Sequence, residues 1–307
     1  KINMFMITRR NGEKYAIKLT TFGSFTVGND LTSVQEGAWR SKKLEKLFVY
    51  LAINRNRGVC IEDISKAIWQ VEEETDNPVG ALKNLAYRLR KALRDASFDE
   101  ECIVSVRGGL YKWNDDVEVT IDVEEFDRYI NEAEFAFSRS KETAIESYEK
   151  AIALYNGDFL SRLTDTHWFM TLNAFYHSRY VNTVKALAKL YIDTGCYEKL
   201  EQLCIRAIVY ERSDEQIYSY LIMARMRTKK VQMAFDTYET AKAIMDKDLG
   251  VRKTVMLNKV YEELLSVTKG VSSYNIDEVK DDISEESMEG VFMCGYPVFK
   301  EIYQLEV

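Results

Sequence analysis

Asn84, Arg88 and Lys91 recur every three or four residues along Asn77 to Asp95 (NPVGALKNLAYRLRKALRD), a spacing that stacks side chains on one face of an α-helix. Their chemistry is hydrogen bonding and charge, with no nucleophile or acid–base pair among them. A guanidinium can form paired hydrogen bonds to guanine and a carboxamide to adenine, each pairing worth about 1–3 kcal/mol of discrimination. Arg88 and Asn84 are therefore the candidate base readers. Lys83, Tyr87, Arg90, Lys91 and Arg94 share or flank that face and suit phosphate, whose contacts orient a complex and make it salt-dependent without reading sequence. Val79, Leu82, Ala86, Leu89 and Leu93 lie on the opposite side and are expected in a core.

A cationic helix face is often only a solvated surface, so the surrounding elements decide what this one is for. Asn77-Pro78 supplies an N-cap followed by proline at the first helical position. Downstream, Ile103 to Trp113 (IVSVRGGLYKW) predicts a hairpin in which Arg107, Gly108, Gly109 and Tyr111 form a wing, with Arg107 placed for a minor groove or a phosphate. A plain hairpin with a solvent-facing Arg would share that pattern. Upstream, one helix is expected from about Trp39 to Arg55, closed by Gly58, and a shorter one has Ile61, Ile64, Ile68 and Trp69 on its apolar side. Residues 2 to 8, 14 to 20 and 22 to 27 read as strands, the first two joined at Asn11-Gly12. Strand, helix, helix, basic helix, hairpin is the order of a winged helix-turn-helix.

Bulk properties agree with a local rather than global polyanion contact. The 307 residues carry a net charge of -7, yet residues 1–120 hold 19 Lys and Arg against 17 Asp and Glu, leaving 23 against 32 for the remainder. A hydrophobic content of 46% excludes disorder across the whole chain. Cys60, Cys102, Cys196, Cys204 and Cys294 form no Cys-x-x-Cys pair and read as small apolar residues in a reducing compartment. The longest apolar run, Leu47 to Ile53, is far below the roughly 20 residues that cross a bilayer, and no signal peptide is visible, so a cytoplasmic location without a membrane partner is expected.

Catalytic patterns do not appear. His167 and His177 are the two histidines, without a zinc-binding spacing, and the nucleophile elbow and the phosphate loop are both missing. Neither enzymatic activity, metal nor cofactor is expected. Glu72, Glu73, Glu74 and Asp76 form an acidic turn before the basic helix; it reads as a solvated loop that favours the helix's positive end, or as a surface facing RNA polymerase.

From Val123 onward the pattern is helical and partly repetitive. Thr194, Leu200 and Ala207 align with Thr228, Ala234 and Ala241 at an offset of 34, and Ala144 and Ala151 mark a looser earlier copy. Small residues at that period indicate tetratricopeptide-like helix pairs. Residues 216 to 261 are rich in Met and Tyr, read as core filler. The expected class is mainly α with a small β component. Residues 1–120 are read as the winged helix with its N-terminal sheet, 121–268 as the helical domain, and 269–307 as an acidic linker and the start of a further domain.

These blocks in this order resemble the antibiotic-regulatory (SARP-type) transcriptional activators, which join an OmpR-like winged helix to a tetratricopeptide-like bacterial transcriptional activator domain. The resemblance covers roughly residues 17–266. It rests on Arg40 to Trp69, LRKAL at Leu89 to Leu93, VRGGLYKW, VEEF at Val123 to Phe126, ALYNGDFL at Ala153 to Leu160, Trp168, and DLGV at Asp248 to Val251. It implies double-stranded DNA with promoter direct repeats, RNA polymerase as a partner, and a helical domain used for regulation and homodimer formation. Cys60 departs from the usual Ser or Thr, predicting a weaker cap on the second helix, and Arg252-Lys253 stands where a proline is common. The expectation is a sequence-specific transcriptional regulator; the alternative is a protein-interaction scaffold whose winged helix binds a protein.

Overall fold

In the computed structural model, residues 15–29, 32–70, 77–98, 102–106, 109–249 and 254–271 are described. The chain divides into two compact units, Lys1–Leu257 and Asn258–Val307. The strands expected over 2–8 and the Asn11-Gly12 turn lie outside the described residues, as do the acidic turn and nearly all of 269–307.

β1 (Tyr15–Thr20), β2 (Thr26–Gly28) and β3 (Ser33–Gln35) form a meander. Ile17 and Leu19 point into the core while Ala16 and Lys18 face water, the alternation of a half-buried strand. α1 (Lys42–Ile53) follows, and it is buried from Leu44 to Ala52, which requires other elements on every side. It stops at Asn54, whose backbone and side-chain nitrogens both donate to the Tyr50 carbonyl, so Gly58 is not its cap. Gly58 instead precedes β4 (Val59–Cys60) and α2 (Ile61–Ile68). As the Cys60 substitution predicts, α2 has no side-chain cap.

α3 (Pro78–Asp95) is the basic helix, followed by β5 (Ile103–Val106), β6 (Leu110–Trp113) and β7 (Val117–Ile121). β4, β6 and β5 make a three-stranded sheet, whereas β7 leaves it and pairs in parallel with β1, giving the order β3-β2-β1-β7. The winged helix is thus closed by a strand from its far end.

The rest is helical: α4 (Asp122–Ala136), α5 (Lys141–Leu154), a 3-10 turn at Ser161–Leu163, α6 (His167–Thr194), α7 (Tyr197–Tyr210), α8 (Glu215–Arg227), α9 (Val231–Ile244), a π turn at Met245–Leu249 and α10 (Val255–Val271). The residues aligned by the repeat play matching parts. Ala144, Leu200 and Ala234, then Ala151, Ala207 and Ala241, are fully buried where helices approach closely. Thr194 and Thr228 donate to the Leu190 and Ala224 carbonyls one turn back, at 2.8 and 3.0 Å, in the last turns of α6 and α8. Tyr218 and Tyr238 are core residues, while Met233 and Met256 are exposed.

The sheet and the helices share one continuous apolar core from Ile17 to Ala224. Its junction is the turn after β1. Asp122, at the start of α4, accepts hydrogen bonds from the Thr21 amide (2.7 Å), the Thr21 hydroxyl (2.5 Å), the Phe22 amide (2.8 Å) and its neighbour Val123 (3.0 Å). Burial pushes this carboxyl up, and the four donors oppose that shift. Phe22 packs among Phe126, Tyr155 and Tyr176. Gly23 and Gly157 both have positive φ, and a Cβ on Gly23 would sit 2.5 Å from the Asn156 carbonyl oxygen, so only glycine lets the two backbones meet. A second seam lies along α1 and α2. Buried Lys46 reaches Asp165 at 2.5 Å, Thr166 donates to the Ala67 carbonyl, Arg55 pairs with Glu124, and Tyr50 packs edge-on to Trp168.

His177 joins three segments of the helical region. Its Nδ1 is 2.8 Å from Asp158 and its Nε2 is 3.1 Å from Glu211, while Tyr155 donates to Asp158. Burial works against the charged ring, but the two carboxylates outweigh it and hold the imidazole above its ordinary value of about 6.5.

Asp122→Ala strands the Thr21 and Phe22 amides in an apolar junction and is expected to cost about 2–4 kcal/mol in urea denaturation. For His177, a raised folded value means its stabilisation is complete below about pH 6.5 and lost as pH rises through the folded value. The stability difference between wild type and His177→Gln should therefore shrink with rising pH; a difference independent of pH would show that the ring is not charged in the folded protein.

Candidate nucleic-acid interface

α3 begins with Asn77, whose side-chain oxygen accepts from the Gly80 amide at 2.9 Å, and with Pro78 at its first position. Leu82, Leu85, Ala86, Leu89 and Leu93 are its buried residues. Leu85 widens the apolar stripe beyond the expected set, and Val79, expected inside, is 42% exposed because it lies in the first turn, beyond the edge of the core. The buried stripe packs on α1 and α2, completing a three-helix core.

The polar face is open. Lys83, Asn84, Arg88, Lys91 and Arg94 are all exposed, and Tyr87 is 66% exposed. Asn84, Arg88 and Lys91 follow one another along the helix at one turn per step, so their ends form a ridge that the helical repeats leave uncovered.

Two residues of the expected set are used differently. Arg90 is half-buried and donates from Nε (3.2 Å) and Nη2 (2.9 Å) to the Ile103 carbonyl, fastening α3 to β5. A phosphate role would have to break that clasp. Tyr111 is 4% exposed and sits inside β6 opposite Val59 and Ser105, so its ring belongs to the core. Flank position alone could not separate Arg90 from Lys83, because the distinguishing group is a backbone carbonyl 13 residues away.

The wing hairpin is in register from Ile103↔Trp113 to Val106↔Leu110. That leaves three connecting residues, of which Gly109 has φ 77°, the left-handed position that a three-residue hairpin loop needs. Arg107 and Gly108 lie outside the described residues, as do Glu72, Glu73, Glu74 and Asp76. Among the described residues no group of His, Cys, Asp and Glu could hold a metal ion, and no helix is long and apolar enough to cross a membrane.

A three-helix core with a β-hairpin wing, closed by a sheet and continued into stacked helix pairs, defines a winged-helix protein with a tetratricopeptide-like domain. Residues 121–265 match the bacterial transcriptional activator domain. The chain is 23% identical over 238 residues to the transcriptional regulator RedD of Streptomyces coelicolor, covering 76% of this chain and 67% of RedD. Its fold resembles that of Mycobacterium tuberculosis EmbR, solved in complex with a low-affinity phosphopeptide, with a TM-score of 0.62, 20% identity, and coverage of 90% of this chain and 73% of EmbR. Residues 121–265 therefore form a bacterial transcriptional activator domain, and the chain as a whole is similar to a SARP-type transcriptional regulator.

Arg90→Ala removes both donors to Ile103 and is expected to cost about 1–2 kcal/mol in thermal or urea unfolding, whereas Lys83→Ala should stay within about 0.5 kcal/mol. Equal stabilities for the two variants would remove the clasp from the account.

Proposed function

We propose that the chain binds duplex DNA in a sequence-specific manner and activates transcription from promoters carrying direct repeats. α3 enters the major groove, Asn84 and Arg88 meet base edges, and Lys83, Tyr87, Lys91 and Arg94 meet phosphates. Arg107 and the glycines of the wing approach the neighbouring backbone. The single observation that carries this reading is the ridge of Asn84, Arg88 and Lys91, which is exposed on a helix whose opposite face is packed into the core.

The helical domain takes the regulatory part, and the acidic turn at Glu72, Glu73, Glu74 and Asp76 takes the side facing RNA polymerase. Negative charge there is unsuited to DNA and suited to a basic protein surface. Direct repeats reward two linked copies, so a homodimer on DNA fits the same scheme.

Sequences selected from a random duplex pool provide the test. Arg88→Ala should weaken the selected site by about 5- to 100-fold while changing random duplex little. Lys91→Ala should weaken both alike and reduce the salt slope by about one unit. Normal binding of the selected site by Arg88→Ala would overturn its role as a base reader, and flow-through of the wild type on heparin at low salt would favour the protein scaffold.

A further inference from the structure

Tyr50 is 4% exposed, yet among the described residues its hydroxyl has no hydrogen-bond partner. The charged side chains that act on this hydroxyl, Asp63 and Arg57, both line the same cavity as Tyr50, so the hydroxyl points into it. Burial and, after it, Asp63 push its pKa up, which keeps the proton in place for donation. A buried hydroxyl without a partner carries a free-energy cost that a bound acceptor removes.

The cavity, about 870 Å³ and the largest among the described residues, opens where α2 and the first turn of α3 meet the start of α6. Its volume is in the range of small-molecule sites, and such sites favour domain junctions. Its walls are aromatic and apolar. Trp168 rests edge-on against Tyr50 with ring centroids 4.8 Å apart, Trp69 is half-buried, and Val79 presents its side chain from the start of α3. With histidine counted as neutral, the lining has no net charge: Arg57 and Lys66 are matched by Glu62 and Asp63, all four exposed. Asp165, just before α6, is paired with Lys46. A charged ligand would give up hydration here without gaining an opposite field in return.

We propose that this cavity binds an uncharged, planar aromatic small molecule carrying a carbonyl group, with its rings against Trp69 and Trp168 and its carbonyl accepting from the Tyr50 hydroxyl. Such a ligand touches the helix-turn-helix and the helical domain at once and stabilises their junction by mass action. The site stands whether or not α3 binds DNA.

Prodan, an uncharged naphthyl ketone, is the probe on the full chain, with dimethylaminonaphthalene as its carbonyl-free counterpart. One saturable site with Kd on the order of 10–100 μM is expected, read by dye fluorescence. Tyr50→Phe, which removes the hydroxyl and keeps the ring, should weaken Prodan by about three- to tenfold and shift its bound emission to the blue. The carbonyl-free dye should bind wild type and Tyr50→Phe alike. Val79→Arg, at an exposed lining position, should weaken both dyes by about fivefold or more, and Lys91→Ala neither. Failure to saturate, equal Prodan affinity in wild type and Tyr50→Phe, or equal loss of both dyes in Tyr50→Phe would each overturn the proposal. So would tighter binding of an anionic dye, anilinonaphthalene sulfonate, than of Prodan.

Discussion

A carboxylate enclosed between a sheet and the end of a helix holds this molecule together. Asp122 lies where β7 becomes α4, and its oxygens take the amides of Thr21 and Phe22 at the end of β1. Unpaired, either the carboxylate or the amides would be costly in an apolar junction; paired, they fix strand, helix and turn relative to one another. Phe22 can enter the aromatic cluster, and Gly23 can approach Gly157, only because this anchor sets the direction of the turn. The second seam, with buried Lys46 on Asp165, extends the same union along α1.

Local chemistry was readable without coordinates. The Asn77-Pro78 start of α3, the core positions Leu82, Ala86, Leu89 and Leu93 and the small residues of the repeat each follow from short-range rules, and the structure shows them in those places, whereas Val79, expected inside, is exposed. Local signals misled where a long-range partner decides. Gly58 looked like a helix end, but Asn54 already satisfies the last carbonyls of α1. Arg90 is turned from solvent by a carbonyl of β5, and Tyr111 by β4 and the core beneath it. Lys46 has an apolar stripe for neighbours and no visible partner in sequence; Asp165, which lies 119 residues further on, gives it one. In each case the deciding group is remote, and sequence separation carries no information about it.

The recognition helix serves two surfaces at once. α3 turns its long polar side chains outward along one face, while its first turn, with Pro78 and Val79, lines a cavity that Trp168 also lines. A helix firmly packed on α1 and α2 transmits little by bending, so any influence of one region on the other travels through its placement as a rigid rod.

The parallel pairing of β1 with β7 has a consequence for synthesis of the chain. Tyr15 and Val117 are neighbours in space but about a hundred residues apart along the backbone, so β1 leaves the ribosome long before its partner exists. Until β7 emerges, β1 is left as an edge strand of the meander, an arrangement open to pairing with other chains. Vectorial folding of the amino-terminal region is thereby tied to translation through Ile121 and Asp122, the strand and the anchor arriving together.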